Sequence, residues 1–200
     1  MATYPKSERT KQKIFESALS LFREKGFEQV SIQEITKKAG TSKGSFYSYY
    51  ATKSDIIVQE FWAIDAYYRS IEDAVRKEGS AEARLLAFTR LQLTYVRDIV
   101  GQPMLKVLYA NQVTQEGSEK VITDQSRFWF SFIKTLIEEG QQSGEFTTEV
   151  DAHLLASYFN RAIRGLFLDW NIRSACFNLV EEGLAYTKQF LLSSLMKGLS

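Results

Sequence analysis

The stretch from Ser31 to Lys53 constrains the fold more than any other part of the sequence, because it contains the signals for two helix starts and one helix end. Ser31 and Glu34 form a capping box, in which the side chain of each residue accepts a hydrogen bond from the backbone N–H of the other. Gly40 can adopt the left-handed conformation that ends a helix. Thr41–Ser42 can then cap a second helix. This spacing predicts a helix-turn-helix.

The second helix of this motif, predicted from Lys43 to Tyr50, has a surface that suits duplex DNA. Phe46 can point inward, and the other side chains are small, hydroxylated or basic. Small residues allow close approach, hydroxyl groups donate to phosphates, and lysine supplies positive charge. Thr52 and Asp55 predict the start of a further helix, whose first N–H groups and Lys53 would offer another phosphate site.

The segment AGTSKGSFYSYYATKSDII, residues 39–57, resembles the helix-turn-helix signature of the TetR family of bacterial transcriptional regulators. The resemblance is close over residues 1–60 and extends beyond them only in helix pattern and length. Three mild departures are Thr41 where valine is usual, Phe46 for leucine and Tyr50 for phenylalanine. The resemblance implies phosphate contacts by Ser31, Tyr47, Tyr49 and Lys53, and positions near base edges for Lys43, Gly44 and Ser45.

An ordinary helical hairpin with a solvated basic face is the alternative interpretation of this stretch. A plain hairpin would not need Gly44 in the exposed first turn of its second helix, so the DNA-binding interpretation is preferred. The charge distribution agrees with it. Residues 1–55 carry ten Lys and Arg against six Asp and Glu, whereas residues 56–200 carry fifteen against eighteen. A basic N-terminal segment ahead of a mildly acidic body fits contact with nucleic acid at the amino end.

Apolar periodicity predicts an all-α fold of about nine helices. An N-terminal helix-turn-helix domain, 7–53, would precede a C-terminal ligand-binding and dimerisation domain, 54–200. Besides the motif, the predicted helices are Ser7–Lys25, Lys53–Glu78, Ser80–Val100, a short helix from Pro103 to Ala110, Ser118–Gln142, Thr147 or Thr148 to Arg173, and Asn178–Met196, with a loop at Asn111–Gly117. The last two carry more apolar residues than one buried face requires, which predicts either a homodimer interface or a wholly intramolecular core.

The body is rich in aromatic residues, and in the resembled family these helices enclose an inducer pocket. The candidate ligand-binding residues are Trp62, Tyr95, Tyr109, Trp129 and Arg164; for any one ring, a plain core position is the competing interpretation. An enzymatic function is disfavoured, because His153 is the only histidine in the sequence. A metal site with two histidines is therefore excluded within the chain, and a Ser-His-Asp triad would have to use His153. Cys176, the only cysteine, is expected to be a buried thiol rather than a redox sensor.

These features predict a cytoplasmic, DNA-binding transcriptional regulator without cofactor or metal. It would bind a palindromic operator on double-stranded DNA as a homodimer and be released by a small-molecule inducer. Two alternatives stay open at this point. One is a TetR-like DNA-binding protein without a small-molecule ligand, controlled by a protein partner or acting architecturally. The other is an enzyme on a helical scaffold.

Overall fold

The computed structural model describes residues 6–114 and 120–196, and the regular structure within them is helical. The prediction of an all-α fold is confirmed. The helices are α1 (Lys6–Lys25), α2 (Ile32–Ala39), α3 (Lys43–Tyr47), α4 (Ser54–Arg76), α5 (Ala81–Tyr95), α6 (Gly101–Thr114), α7 (Phe128–Ser143), α8 (Ala152–Ile172) and α9 (Leu179–Tyr186). Two π-helical segments, Val96–Val100 and Thr187–Leu191, continue α5 and α9. None of the helices in the described part of the chain has the length and apolar character needed to cross a membrane.

The chain divides into two compact units, of which the first comprises residues up to Trp62 together with Lys106–Val121. In this unit α1 packs on α2 and α3. The apolar residues of α1 recur at helical spacing, which predicts that they pack with apolar residues of the next helices into a small core behind the second helix of the motif. The buried residues of this core are Ile14, Ala18, Leu21, Phe22, Val30, Ile35, Ala39, Phe46 and Ile56. This predicted core is confirmed, and it fixes α3 from behind.

The second unit comprises Ala63–Leu105 and the residues from Ile122 onward, with α7 packed on α5 and α8, and α5 on α9. A chain of ring contacts runs through its core. Tyr68 meets Phe88 at 5.4 Å, Phe88 meets Phe132 at 5.1 Å, and Phe132 stacks on Phe128 at 5.3 Å between centroids. These four rings of the aromatic-rich body are therefore core residues.

The prediction of a loop at Asn111–Gly117 is wrong for residues 111–114, because α6 continues to Thr114. Residues 115–117 lie outside the described residues. Asn111 and Gln112 are buried, and the Asn111 Nδ2 donates to the Ser54 Oγ at 2.9 Å. This tertiary hydrogen bond gives the polar side chain a partner inside the fold. The helix also begins earlier than predicted, at Gly101, whose φ of 74° accommodates the end of the π-helical segment.

The predicted start of α7 at Ser118 is also wrong: residues 120–127 form turns, and α7 begins at Phe128. Ser118 itself lies outside the described residues. The Asp124 Oδ1 accepts from the Ser126 N–H at 2.8 Å, which stabilises a turn where helix was predicted. In α8, Asp151 is the N-cap in place of Thr147 or Thr148, since its side chain accepts from the N–H groups of His153 and Leu154.

The remaining differences are smaller. α3 ends at Tyr47 instead of Tyr50, and α4 ends at Arg76 instead of Glu78. α9 passes into a π-helical segment and then into turns before Met196.

The expectation of a buried thiol is wrong, because Cys176 is exposed. It follows two residues with positive φ, Ser174 and Ala175, in the turn between α8 and α9. The thiol is therefore exposed although the sequence of the turn, SACFN, is largely apolar.

Candidate nucleic-acid interface

The helix pair around α3 has the start and end signals that the sequence predicts. The Ser31 Oγ accepts from the Glu34 N–H at 3.2 Å, and the Glu34 Oε2 accepts from the Ser31 N–H at 2.9 Å, which completes the capping box. Gly40 ends α2 with a φ of 65°. Ser42 caps α3, with its Oγ accepting from the Ser45 N–H at 3.1 Å. Three non-helical residues thus join α2 to α3, which gives helix-turn-helix geometry.

The outward face of α3 combines a cation, a hydroxylated ring and a position without a side chain. Lys43 and Gly44 are exposed, and Tyr47 is 57% exposed although it is a large aromatic residue. A Cβ added at Gly44 would meet only the Ser42 Oγ, at 3.7 Å, so packing inside the chain does not require glycine there. The absence of a side chain instead leaves room for another molecule to approach the backbone.

The inward side of α3 is anchored to α4. Phe46 is fully buried, and its ring lies 5.6 Å from the ring of Tyr50. The Tyr50 hydroxyl donates to the Gln59 Oε1 at 2.8 Å, and burial raises the pKa of Tyr50 to about 12, so the phenol stays protonated. The position of α3 is therefore fixed relative to the first turns of α4.

Glu34 connects the start of α2 to the end of α1. The Lys25 ammonium, 2.7 Å from the Glu34 Oε1, together with the backbone N–H and hydroxyl of Ser31, lowers the pKa of Glu34 to about 2. A carboxyl whose folded pKa is depressed stabilises the fold above its ordinary pKa, and this stabilisation is lost as the pH falls toward the folded value.

We expect Glu34→Gln to lower the free energy of unfolding at neutral pH, and the difference from wild type to shrink as the pH falls from about 6 to about 3. The amide oxygen can still accept from the Ser31 N–H, so the change removes mainly the charge. Denaturant unfolding at a series of pH values measures the difference. Glu28→Gln, which removes a carboxylate from the preceding turn, is the control. A difference that did not vary with pH would contradict this account of Glu34.

Lys53 lies at the start of α4, and its ammonium is already held by backbone carbonyl groups. The Lys53 Nζ donates to the carbonyl oxygens of Phe27 at 2.7 Å, Val30 at 3.1 Å and Glu28 at 3.4 Å. It also lies 4.3 Å from the centroid of the Phe27 ring. Sequence reasoning missed this contact, because no short-range pattern links residues separated by more than twenty positions.

Comparison with known proteins agrees with this geometry. Residues 14–59 match the family model described as bacterial regulatory proteins, tetR family. The fatty acid metabolism regulator protein of Bacillus subtilis is 22% identical over 170 residues, which cover 84% of this chain and 86% of that protein. AcuR, a transcriptional regulator of Cereibacter sphaeroides, is 37% identical over 82 residues, 40% of this chain and 37% of its own length. The N-terminal segment 14–59 of the chain is therefore of the TetR-family type.

The fold of the whole chain is that of solved TetR-family proteins. The crystal structure of Thermus thermophilus FadR, a TetR-family transcriptional repressor in complex with lauroyl-CoA, superposes with a TM-score of 0.77. The sequence identity is 18%, and the alignment covers 94% of this chain and 96% of that one. The matched residues 14–59 include α2 and α3, and with them the helix-turn-helix from Ser31 to Tyr50.

The residues predicted to bind a ligand fall in both units. Trp62 and Tyr109 lie in the first unit and are half-buried. In the second unit, Tyr95 stacks on Tyr67 with 4.1 Å between ring centroids, and the Arg164 Nη1 donates to the Ile122 carbonyl oxygen at 3.1 Å. Trp129 is buried. Their role in ligand binding stays a prediction.

Four buried polar atoms of the second unit have no hydrogen-bond partner among the described residues: the Thr89 Oγ1, the Gln92 Oε1, the Trp129 Nε1 and the Asn171 Oδ1. Buried polar atoms in native proteins nearly always have a partner, so such exceptions indicate groups that are met by water or by a ligand. Thr89 and Gln92 are three residues apart and share one face of α5. Of these four, the sequence pointed only to Trp129, because threonine, glutamine and asparagine inside a helix give no distinctive pattern.

The second unit also contains a buried ion pair that the sequence did not reveal. The Arg127 Nη2 lies 2.7 Å from the Asp65 Oδ1, and the Arg127 Nε donates to the Asp65 Oδ2 at 3.1 Å. The Phe128 N–H, at the start of α7, also donates to the Asp65 Oδ2, at 3.3 Å. The pair therefore joins α4 to the first residue of α7.

Within residues 6–114 and 120–196, no three His, Cys, Asp or Glu side chains lie close enough to hold a metal ion.

Proposed function

We propose that this chain is a ligand-responsive transcriptional repressor that binds a palindromic DNA operator as a homodimer. The observation that supports this function best is the exposed face of α3, with Lys43, Gly44 and Tyr47 presented outward from a rigid, capped helix pair. In this proposal α3 lies in the major groove of one operator half-site. Two-fold symmetry places the half-site centres about one helical turn apart, roughly 34–36 Å, or a multiple of that distance.

The proposed contacts divide into two classes. Lys43, Gly44 and Ser45 lie near base edges, where a side chain can distinguish one base pair from another. Ser31, Tyr47 and Tyr49 contact phosphates, which hold the motif in register but carry little sequence information. Lys53 is not among these contacts, because its ammonium is held by three backbone carbonyl oxygens.

The homodimer is proposed to form through α8 and the C-terminal helical segment. Leu154, Tyr158, Leu168 and Ile172 recur at the spacing of one helical face of α8, and all four are exposed. Phe190 is 62% exposed. An apolar groove beside these residues is lined by Leu155, Tyr158, Phe159, Ala162, Phe190, Leu191, Ser194 and Leu195. Contiguous exposed apolar residues of this kind often mark interaction sites.

The effector is proposed to bind within the helical body and to shift the population of two conformations. In this mechanism the effector favours a tilt of α4 that separates the two α3 helices beyond the spacing that the operator allows. An effector that bound both conformations equally well would shift nothing. The unpartnered atoms of Thr89, Gln92 and Trp129 support a ligand with polar groups. Because the Thermus FadR structure contains lauroyl-CoA, lauroyl-CoA is the first compound to test.

Selection of bound duplexes from a random library, with and without lauroyl-CoA, tests the proposal. We expect enrichment of a palindrome and its loss when the effector is present. Enrichment that no small molecule reverses would favour a DNA-binding protein controlled by a protein partner. If no duplex is enriched at moderate salt, the proposed function is wrong.

We expect Lys43→Ala to change which duplexes are selected, because this side chain is proposed to read a base edge. A lost bidentate base contact costs about 1–3 kcal/mol at the base pair it reads and relaxes preference there. Repeating the library selection with the variant measures the preference at each position, and Lys37→Ala, which removes an exposed lysine from α2, is the control. A uniform loss of affinity across all sequences would instead assign Lys43 to a phosphate.

A further inference from the structure

We propose that Lys53 is a positioning residue, whose ammonium fixes the start of α4 against the turn between α1 and α2. This inference rests on the proposed DNA-binding function and goes beyond it, since the resemblance of the sequence to its family implies a phosphate contact for the same residue. The difference matters because the two roles predict different effects of salt on operator binding.

The geometry of the ammonium supports the positioning role. A lysine ammonium has three N–H donors. Three carbonyl oxygens, those of Phe27, Glu28 and Val30, lie between 2.7 and 3.4 Å from the Lys53 Nζ. The Phe27 ring covers a further side of the cation at 4.3 Å. A phosphate could therefore be contacted only after one of these hydrogen bonds had been broken.

The turn that Lys53 holds is well placed to control the helix-turn-helix. It begins after Gly26, which ends α1 with a φ of 83°, and it ends at Val30, immediately before the N-cap of α2. The Val30 N–H donates to the Phe27 carbonyl oxygen at 3.3 Å, so the turn has only one internal hydrogen bond among the described backbone groups. Backbone carbonyl oxygens are strong hydrogen-bond acceptors, so three that converge on one point favour a group with several N–H donors.

The helix-turn-helix is thus tied to α4 at both of its ends. Lys53 ties the entry to α2, and the hydrogen bond from the Tyr50 hydroxyl to Gln59 ties the exit from α3. Any movement of the first turn of α4 is passed to α2 and α3 through these two links. Lys53 therefore maintains the orientation in which α3 meets the operator.

The test is the salt dependence of binding by Lys53→Met, which keeps the length of the side chain but removes its charge and donors. The DNA probe is the duplex that the wild-type protein selects from the random library. If Lys53 positions the motif, affinity falls about tenfold, as expected for the loss of charge-assisted hydrogen bonds. The slope of log affinity against log salt then stays as in wild type. If Lys53 instead contacts a phosphate, the slope decreases in magnitude by about 0.9, and the proposal is overturned.

Lys53→Arg provides a second variant that keeps the positive charge if Lys53→Met fails to fold. A planar guanidinium can contact a phosphate but cannot direct three donors to three converging carbonyl oxygens. The positioning role predicts that the arginine variant also loses about tenfold, with an unchanged slope; wild-type affinity would overturn it. If the wild-type protein selects no duplex, the proposed function fails. If the wild-type protein does select a duplex, and Lys53→Met reduces the slope of log affinity against log salt, only the positioning role fails.

Discussion

The double variant Tyr158→Asp/Phe190→Asp is expected to be monomeric and to lose operator binding. Both side chains line the same apolar groove, and both are at least half exposed. If this groove is the dimer interface, two carboxylates placed there would each have to be buried without a partner on association. A monomer loses the gain that comes from a second, linked half-site contact, so operator affinity should fall by about 10²- to 10⁴-fold.

Sedimentation velocity and operator titration at the same protein concentrations measure the two effects. Val113→Asp is the matched control, since it replaces an apolar side chain that is 82% exposed on α6, outside the proposed interface. The control is expected to remain dimeric and to bind the operator as wild type does. A double variant that stays dimeric would show that α8 and the C-terminal segment do not form the interface. A monomeric wild-type protein would contradict the proposed mode of binding altogether.

Asp65→Ala is expected to lower the free energy of unfolding by about 3–5 kcal/mol, because it removes the carboxylate that pairs with a buried guanidinium. The side chains of Arg127 and Asp65 are only 9% and 14% exposed, and they are joined by two hydrogen bonds. The variant also removes the acceptor for the Phe128 N–H at the start of α7. Denaturant unfolding at a fixed protein concentration measures the change, since the stability of an associating protein depends on concentration.

Glu138→Ala is the control for the loss of a carboxylate, because its pair with Lys134 on α7 is about 40% exposed. Exposed pairs of this kind contribute about 1 kcal/mol or less. The double variant Asp65→Leu/Arg127→Met should recover most of the lost stability, since replacing both members of a buried ion pair by apolar residues is often neutral or stabilising. A cost for Asp65→Ala no larger than that for Glu138→Ala would mean that water reaches the pair.

Local signals explain why the N-terminal part was predictable. Ser31 with Glu34, Gly40 and Ser42 each specify a conformation through contacts no more than about five residues apart, where the chain itself holds the partners together. The same holds for Gly26 and for the Phe22 and Phe27 rings, 5.0 Å apart across the end of α1. The apolar positions of α1 fall on one face at helical spacing, so the core behind α3 follows from periodicity.

The errors share a different physical origin. Asn111 and Gln112 read as loop residues because polar side chains normally face solvent, yet Ser54 supplies a distant hydrogen-bond partner that allows α6 to continue. The α7 boundary was missed because Arg127 and Phe128 are fixed by Asp65, more than sixty positions earlier. Cys176 was expected to be buried from its apolar neighbours, but it is exposed in a turn that contains two residues with positive φ, Ser174 and Ala175.

By itself, the sequence determined the all-α class, the helix-turn-helix and the residues that face away from its core, because these depend on periodicity and on caps within a few positions. Only the tertiary structure decided what each long polar side chain does. Lys53 has the same local sequence whether it contacts a phosphate or three carbonyl oxygens, and Asp65 has the same local sequence whether it is solvated or paired with Arg127. The role of a charged side chain depends on the partners that the fold brings within about 3 Å of it. Those partners come from parts of the chain that no local sequence pattern connects.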